Sequence, residues 1–452
     1  MAQRDVRRDL RYMTLEGSAF CIMAGAGEAY FPAFVLALGH SQVSAGLIAT
    51  LPLFLGSLLQ NLFPPLLQRV GSLRSWMVGA VALQALFLIL LINSAASLPL
   101  IFLAVSLYWA AGWACGPAFN TWVERLVPRS VRPRYFARRT ALCNLVQFTS
   151  MLAAGWLLSR GAQSGQALQA FTLLFGVAAL ARLASAFFLS RQTDARLPEG
   201  HRVLGFRQAF EVVRKSPQGR TLFYLLGAQA SLQMAAPFVS PFLLGCQKLG
   251  YFDYMLVLST LVLARILALP RLGGLVRRAG PRRMFYWSGL GLIPVPLLWL
   301  VCAPSLPAML ALQAFTGVLM ACYDLAVMMT YMEAIPATER PSVLTRFSVA
   351  HTLAMLSGSA VGSLLLWALG SSWTGYAVVF GLAVVARVAA LRLLAIVPVP
   401  APRVEFLSVP PRLAGEPVVA RGALLTKVAQ RAETRAREVA LTELEVKAPS
   451  RN

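Results

Sequence analysis

Apolar runs of about 20 residues, separated by short polar or charged turns, recur along most of this chain. Read between the charged clusters there are twelve. They lie near 14–38, 43–66, 75–94, 97–124, 136–159 and 167–190, then 220–246, 252–270, 284–303, 306–334, 343–369 and 373–396. Their periodicity does not distinguish helix from buried strand, but their length does, since strands stop after about eight residues. In hydrocarbon every backbone N–H and C=O needs a partner within its own segment, so each run is expected to be a helix. The expected fold class is an all-α membrane protein with twelve transmembrane helices.

Composition agrees with the pattern. The 452 residues are 58% hydrophobic and only 13% charged, about half the charged fraction of an ordinary soluble protein. The net charge of +23 would suggest a nucleic-acid binder if it were spread over a soluble surface. It is not. With MAQRDVRRDLR in the cytoplasm and the runs alternating, the outward turns GHSQVS, NSAASLP, SRGAQSGQ, QKLGYFD, APSLP and GSSWTG contain only Arg160 and Lys248 as basic residues. Arg182, Arg265, Arg387 and Arg392 fall inside runs, and the remaining cations lie on the cytoplasmic side, as the positive-inside rule requires. The charge is therefore a topology signal. It places both termini in the cytoplasm and implies membrane lipids, not nucleic acid, as surroundings. The first run is too long for a cleavable leader and no small-residue cleavage site follows it. The six cysteines sit in or beside runs without metal-ligand spacing and read as packing residues. No cofactor or metal is expected.

The chain also repeats itself. A shift of 209 brings Thr121-Trp122-Val123-Glu124 onto Thr330-Tyr331-Met332-Glu333, and Pro32 onto Pro241. A shift of 208 aligns Arg132-Pro133 with Arg340-Pro341 and Arg138 with Arg346, and 205 aligns FGVAALARLA (175–184) with FGLAVVARVA (380–389). The loops PPLLQRVGSLR (64–74) and GGLVRRAGPRR (273–283) coincide as well, sharing Arg69/Arg278, Gly71/Gly280 and Arg74/Arg283. Several matches in nearly one register indicate a duplicated six-helix unit. The expected domains are a first bundle at 1–190, a cytoplasmic connector at 191–219, a second bundle at 220–396 and a cytoplasmic tail at 397–452.

Two parallel six-helix repeats suit a secondary transporter, and here the residues resemble a known family. GGLVRRAGPRR looks like the loop signature of the major facilitator superfamily, and the spacing from Glu333 to Arg340 looks like its companion motif after helix 10. The resemblance covers roughly residues 12–396. The signature's Asp is Gln68 in one half and Arg277 in the other, and ALCNLVQFTSMLAAGWLL lacks the glycine-proline pattern of drug–proton antiporters. Both departures count against drug export. The resemblance implies two pseudo-symmetric bundles with helices 1, 4, 7 and 10 around a central cavity.

Four duplicated charges sit where helix dipoles disfavour them. Glu124 and Glu333 end helices 4 and 10, while Arg138 and Arg346 begin helices 5 and 11, a mismatch of up to about 1 kcal/mol each when exposed. Mutual pairing would relieve this. Glu124, Glu333, Arg132, Arg340, Arg138 and Arg346, with Arg69 and Arg278, are therefore expected to form a cytoplasmic gate network. The alternative is that these charges merely mark the interface and orient the helices.

Ionisable residues deep in a span are expensive and usually functional. Arg182 and Arg387 are duplicated, which suggests scaffold roles with side chains snorkelling to the interface. Glu28, within GAGEAYFP, and Asp324 have no counterpart. They are the expected carriers of a coupling proton or ligands for a cationic group, against the alternative of structural hydrogen bonds between helices. Arg265 is also unpaired; facing the cavity it would bind an anion, and otherwise it snorkels. Tyr30, Trp109, Trp113, Asn120, Gln229, Gln233 and Tyr323 are expected to supply aromatic and polar lining, or else to pack. His351 is more simply a structural residue.

Nothing in the pattern suggests an enzyme, and no phosphate-binding loop points to ATP. The expected function is secondary active transport of a small organic solute across a bacterial inner membrane by alternating access, with protons as the coupling ion. Two alternatives stay open: a non-transporting sensor or receptor on the same fold, and a gradient-driven uniporter or exporter of an anionic solute. The segment GFRQAFEVVRKSP (205–217) reads as an amphipathic helix. Residues 397–415 read as a proline-rich linker, with a charged helix at about 417–445.

Overall fold

The computed structural model describes residues 3–95, 97–127, 132–195, 205–215, 219–335 and 340–396, and within these helices some side chains, including those of Asn120, Glu124, Arg132, Arg278, Glu333 and Arg340, fall outside the description. The expected tail, 397–452, lies outside the described residues. Twelve helical spans are long and apolar enough to cross a membrane. They are Val6–Ala37, Gln42–Leu59, Leu73–Asn93, Leu98–Gly116, Arg138–Gln163 and Ala167–Ser190, then Thr221–Cys246, Tyr251–Leu269, Arg282–Cys302, Leu306–Tyr331, Val343–Leu369 and Trp373–Arg392. They are called spans 1 to 12. The largest difference from the hydropathy reading is at the start. Helix begins at Gln3, because Met13 is buried in a cluster with Leu73, Met77 and Trp122 that extends the packed core past the apolar run.

The duplication is written into the backbone. Among the described residues, positive φ occurs at Gly39, Gly71, Gly165, Lys248, Gly280 and Gly370. These form three pairs in the sequence registers already found: Gly39 with Lys248, Gly71 with Gly280, and Gly165 with Gly370. Positive φ thus recurs at corresponding points of both halves. Spans 4 and 10 match too, as helices Leu98–Leu126 and Leu306–Ala334, each with a proline in its first turn.

Proline breaks the first span of each half. Pro32 cannot supply the N–H that the carbonyl of Glu28 would receive in an α-helix. That carbonyl instead accepts from Phe31, in a tighter turn over Glu28–Tyr30. In span 7, Pro237 denies a partner to the carbonyl of Gln233, and helix Gly219–Gln233 stops there. Span 2 breaks likewise between Leu47 and Leu51, ahead of Pro52. The connector contributes helix Phe206–Lys215, whose Val213 is buried in the core of the second half while Phe210 packs against Phe223.

The halves meet along spans 2 and 11 and along spans 5 and 8. Away from the connector, at what is termed here the distal end, the Phe238 ring is wedged between Gly46 of span 2 and Gly362 of span 11; a Cβ on either would collide with it. Gln42 of span 2 accepts a hydrogen bond from the Tyr376 hydroxyl of span 12. Further along, three polar contacts link spans 2 and 11: Thr50 with Ser359 at 2.9 Å, Ser57 with Thr352 at 2.6 Å, and Ser348 with Gln60 at 3.0 Å. Such contacts average about 0.6 kcal/mol in membrane proteins. The three together hold the seam with roughly 2 kcal/mol, enough to align it without fixing it.

Lys248 adopts φ 53° where its partner position has Gly39, at a cost of about 1 kcal/mol. Lys248→Gly is expected to raise the thermal midpoint of the purified protein, and Gly39→Lys to lower it, in a melting assay.

Candidate functional site

Beyond Asp9 near its start, span 1 carries two acids to different fates. Glu28 sits in the turn that Pro32 imposes, where the Tyr108 hydroxyl of span 4 donates to its Oε1 at 2.5 Å. Three turns earlier, Glu16 is buried and forms an ion pair with Arg139 of span 5 at 3.0 Å. Gly17 makes this possible: its bare backbone leaves room for the Arg139 guanidinium, whose Nε also donates to the Met13 carbonyl at 3.0 Å. Ser185 donates to the other Glu16 oxygen at 3.3 Å, and Arg182 donates to Ser185 at 3.1 Å. Arg182 Nε reaches Gln84 at 2.8 Å, and Gln84 donates to the Tyr108 carbonyl at 3.2 Å. A continuous polar chain therefore runs through the first half from Arg139 to the residue that holds Glu28.

The second half has a different arrangement. Arg265 of span 8 and Asp324 of span 10 form an ion pair inside the membrane-spanning segments, with side chains 41% and 43% exposed. Gly317 lets the two helices approach, since a Cβ there would press on Leu261 and Ala264. The two residues that sequence alone assigned opposite substrates are thus one unit. These two charges are partly exposed, unlike those sealed in the first half.

A family model described as Major Facilitator Superfamily matches residues 17–294, more than half of the chain. The chain belongs to the Major Facilitator Superfamily. Its fold is similar to that of the nucleoside transporter NupG, with TM-score 0.66 and 14% identity over 85% of this chain and 98% of that one. It is also similar to a POT family transporter in complex with 5-aminolevulinic acid, with TM-score 0.65 and 14% identity over 87% and 96%. A bacterial homolog of the human lysosomal transporter Spinster, inward-facing and unoccupied, gives 0.62 and 14% over 88% and 96%. At these identities the likenesses carry the fold alone. A search of curated proteins finds no match to the sequence.

As a superfamily member the chain is a multi-pass membrane transporter, and its other expected site residues can now be placed. Tyr30 is fully buried and its hydroxyl donates to the Met151 carbonyl at 2.8 Å, so it packs span 1 against span 5 and lines no cavity. Tyr323 is likewise buried, edge-on to Phe285 at 5.4 Å. Both take the packing alternative, for one reason: in a run that is apolar on every side, position along the helix does not fix the direction a side chain faces. Gln233 is half-buried at the break of span 7, and the Trp113 indole N–H is buried without a hydrogen-bond partner. The side chain of Asn120 lies outside the described residues.

Arg182 does not snorkel. It is 3% exposed and bonded to Gln84, and its ring contact with Phe20, at 4.9 Å, completes its enclosure. Its duplicate Arg387 is 8% exposed and donates to the Leu292 carbonyl. Pro296 deprives that carbonyl of its helical partner. Both arginines therefore bond to the same level of spans 3 and 9.

Of the expected gate network, Glu124, Arg132, Arg278, Glu333 and Arg340 have side chains outside the described residues, while Arg69 and Arg138 are exposed and Arg346 is half-buried. At this end of the superfamily fold the described contacts tie the connector to the first half. Asp9 accepts from the Thr193 N–H at 3.0 Å, Trp122 donates to the Thr193 carbonyl at 2.9 Å, and Asp194 accepts from Ser72 Oγ at 2.7 Å and the Arg74 N–H at 3.1 Å. Burial pushes the Asp194 carboxyl up, but the bonds from Ser72, Arg74 and Ala195 outweigh it and hold its pKa below the ordinary aspartate value.

Glu16, Arg139, Gln84 and Tyr108 were not singled out from the sequence. The signal was available: Glu16 and Arg139 fall on Leu225 and Phe347 in the second half, the same lack of a counterpart that marked Glu28. Removing one partner of such a buried pair costs about 3–5 kcal/mol. Glu16→Gln alone is expected to destabilise the protein by that order, and Glu16→Gln with Arg139→Gln by less than the sum of the single changes. A double-mutant cycle on thermal midpoints checks this.

Proposed function

We propose that this protein carries a small organic solute across the bacterial inner membrane by alternating access, with protons as the coupling ion. The observation that carries this reading is the half-exposed Arg265–Asp324 pair within the spans. Opposite charges held together present no net charge to a solute, so the pair suits a neutral or zwitterionic molecule whose own polar groups replace one bond with another. Trp113, with its unspent indole N–H, and Gln233, at a helix break, are further contacts for such a molecule.

Glu28 is the proposed proton carrier. It stands at the proline-made turn of span 1 with one described partner, the Tyr108 hydroxyl, which can donate to a carboxylate and can accept from a carboxylic acid. A proton arriving at Glu28 reverses that bond, at a point where the helix lacks its regular ladder and can bend. The seam between spans 2 and 11 supplies the other requirement. Two states that alternate must lie within a few kcal/mol of each other, and hydroxyl contacts of roughly 2 kcal/mol in total open more readily than a sealed ionic interface.

In proteoliposomes screened with a panel of neutral and zwitterionic solutes, a pH gradient is expected to drive accumulation by the wild type. Glu28→Gln should retain solute exchange but lose gradient-driven accumulation, while Asp324→Asn and Arg265→Gln should weaken solute binding itself. Accumulation undiminished in Glu28→Gln and Asp324→Asn would overturn the assignment. A protein that binds solute but never moves it would favour the receptor reading instead.

The connector end is proposed to close through Glu124, Glu333 and the arginines expected around them, with the distal end open. Glu333→Gln then shifts the balance toward the distally closed state, raising the labelling of a cysteine introduced in the 64–74 loop. An unchanged labelling rate and unchanged transport would dismiss the clamp.

A further inference from the structure

We infer that Met23 is a positioning residue for the proton at Glu28, its thioether sulfur taking the Tyr108 hydroxyl hydrogen whenever Glu28 is protonated. The inference rests on the proposed role of Glu28 as proton carrier. Met23 and Glu28 are five residues apart, which in a regular helix sets them about 140° apart around the axis. Here Gly27 leaves helical geometry, at φ −106° and ψ −76°, and the short turn over Glu28–Tyr30 follows. The break brings both side chains to one hydroxyl of span 4. Tyr108 donates to Glu28 Oε1 and lies within hydrogen-bond reach of Met23 Sδ. Met23 and Tyr108 are buried, whereas Glu28 is only half-buried.

One hydroxyl carries one hydrogen, so Tyr108 satisfies one acceptor at a time. While Glu28 is a carboxylate, its charged oxygen is the stronger acceptor and takes that hydrogen. A proton arriving on Oε1 turns this oxygen into a donor to the Tyr108 oxygen. Tyr108 then has to direct its own O–H elsewhere, and at 1% exposure it is sealed from solvent. Met23 Sδ, a weak acceptor, is the group within reach. No covalent bond of Tyr108 breaks: Glu28 gains a proton, one hydrogen bond reverses, a second forms, and deprotonation undoes both. The alternative puts the proton on Oε2 and leaves Tyr108 unmoved. Among the described residues no hydrogen bond reaches Oε2, so an acid O–H there has no protein acceptor.

The duplicated frame supports this independently. At a shift of 209, Met23, Glu28 and Tyr108 fall on Leu232, Pro237 and Gly317. The half that lacks the acid lacks the hydroxyl and the sulfur as well, as three groups used together would. Leucine fills much the same volume as methionine, so packing at this depth does not itself call for sulfur. The other charge that bears on Glu28 is Arg182 of span 6, which Gln84 and Ser185 hold in place. Tyr30, two residues on, is spent on the Met151 carbonyl. Among the described residues no further titratable group acts on Glu28. The exchange of one hydrogen bond between Glu28 and Met23 is therefore the local response to the proton.

Infrared difference spectroscopy on the purified full-length protein tests this without a transported solute. A carboxylic-acid C=O band that titrates with pH and is lost in Glu28→Gln belongs to Glu28. Met23→Leu is expected to move the midpoint of that band about half a pH unit to the acid side, because only the protonated state loses a weak hydrogen bond. In a Tyr108→Phe background, Met23→Leu should move it no further. An unmoved midpoint in Met23→Leu, or an equal shift with and without the Tyr108 hydroxyl, would sink the inference even if Glu28→Gln abolishes accumulation in proteoliposomes. A Met23-dependent midpoint with undiminished accumulation in Glu28→Gln would sink the proton-carrier role and leave the hydrogen-bond exchange standing. A Glu28 band that does not titrate would overturn both.

Discussion

Hydrocarbon provides no hydrogen-bond partner, so every carbonyl that a proline frees within a span must be satisfied by some other group of the protein. This chain frees carbonyls repeatedly, and the groups that answer them organise the molecule. Phe31 answers for Glu28 by tightening the helix into a short turn. Arg387 answers for Leu292, which Pro296 leaves open. The break ahead of Pro52 leaves Thr50 at the seam with span 11, where it donates to Ser359. In each case a defect in the helical ladder places a polar group at a chosen depth. A regular helix gives no reason for a polar group to sit there.

The duplicated scaffold gives those defects their meaning. Both halves turn at the same positions, with the same sign of φ, and both break their first span. Against this shared frame the differences stand out. The first half spends Glu16, Arg139, Arg182 and Gln84 on an enclosed chain that leads to Tyr108, and so to Glu28. The second half has Leu225, Phe347 and Ile293 at the positions of Glu16, Arg139 and Gln84. Among the described residues it keeps one exposed pair, Arg265 with Asp324. One half is internally wired, while the other leaves a charged pair partly exposed. That division of labour suits a machine in which one bundle rocks against the other around a fixed site.

The sequence made the frame legible because the frame rests on strong, local rules. Run length marked the spans, and the glycines at 71 and 280 marked matching positive-φ positions. Side-chain direction was not legible. Spans 1 and 10 are apolar nearly all round, so no stripe told which way Tyr30 or Tyr323 points, and both proved to be packing. Arg182 illustrates the same limit from the other side. A long cation near a helix end ordinarily snorkels, but Gln84 on the neighbouring span gave it a partner inside. That partner is non-local, 98 residues away, and no property of either segment alone predicts it. Glu16 lies two residues inside the run drawn at 14–38, where a charge reads as a helix-end group, whereas the helix starts at Gln3 and buries it.

The weakness of the seam between spans 2 and 11 follows from the same solvent. Lipid removes the hydrophobic drive between helices, leaving shape and a few hydroxyl bonds to hold the halves together. Phe238 supplies the shape, gripped by glycines on spans 2 and 11, and Thr50, Ser57 and Ser348 supply the bonds. A water-soluble protein with so little polar fastening at this seam would rely on buried apolar area, and separation would then expose that area to water at about 25 cal/mol per Å². Here the apolar surface released by separation passes to lipid or to a lined cavity at far smaller cost. The close steric fit therefore sets where the halves meet, and the few bonds set how long they stay. Such a seam is specific in its closed form and still able to open. Each half holds itself together by stronger means, through the buried Glu16–Arg139 pair in one and aromatic packing around Phe242, Tyr376 and Phe380 in the other.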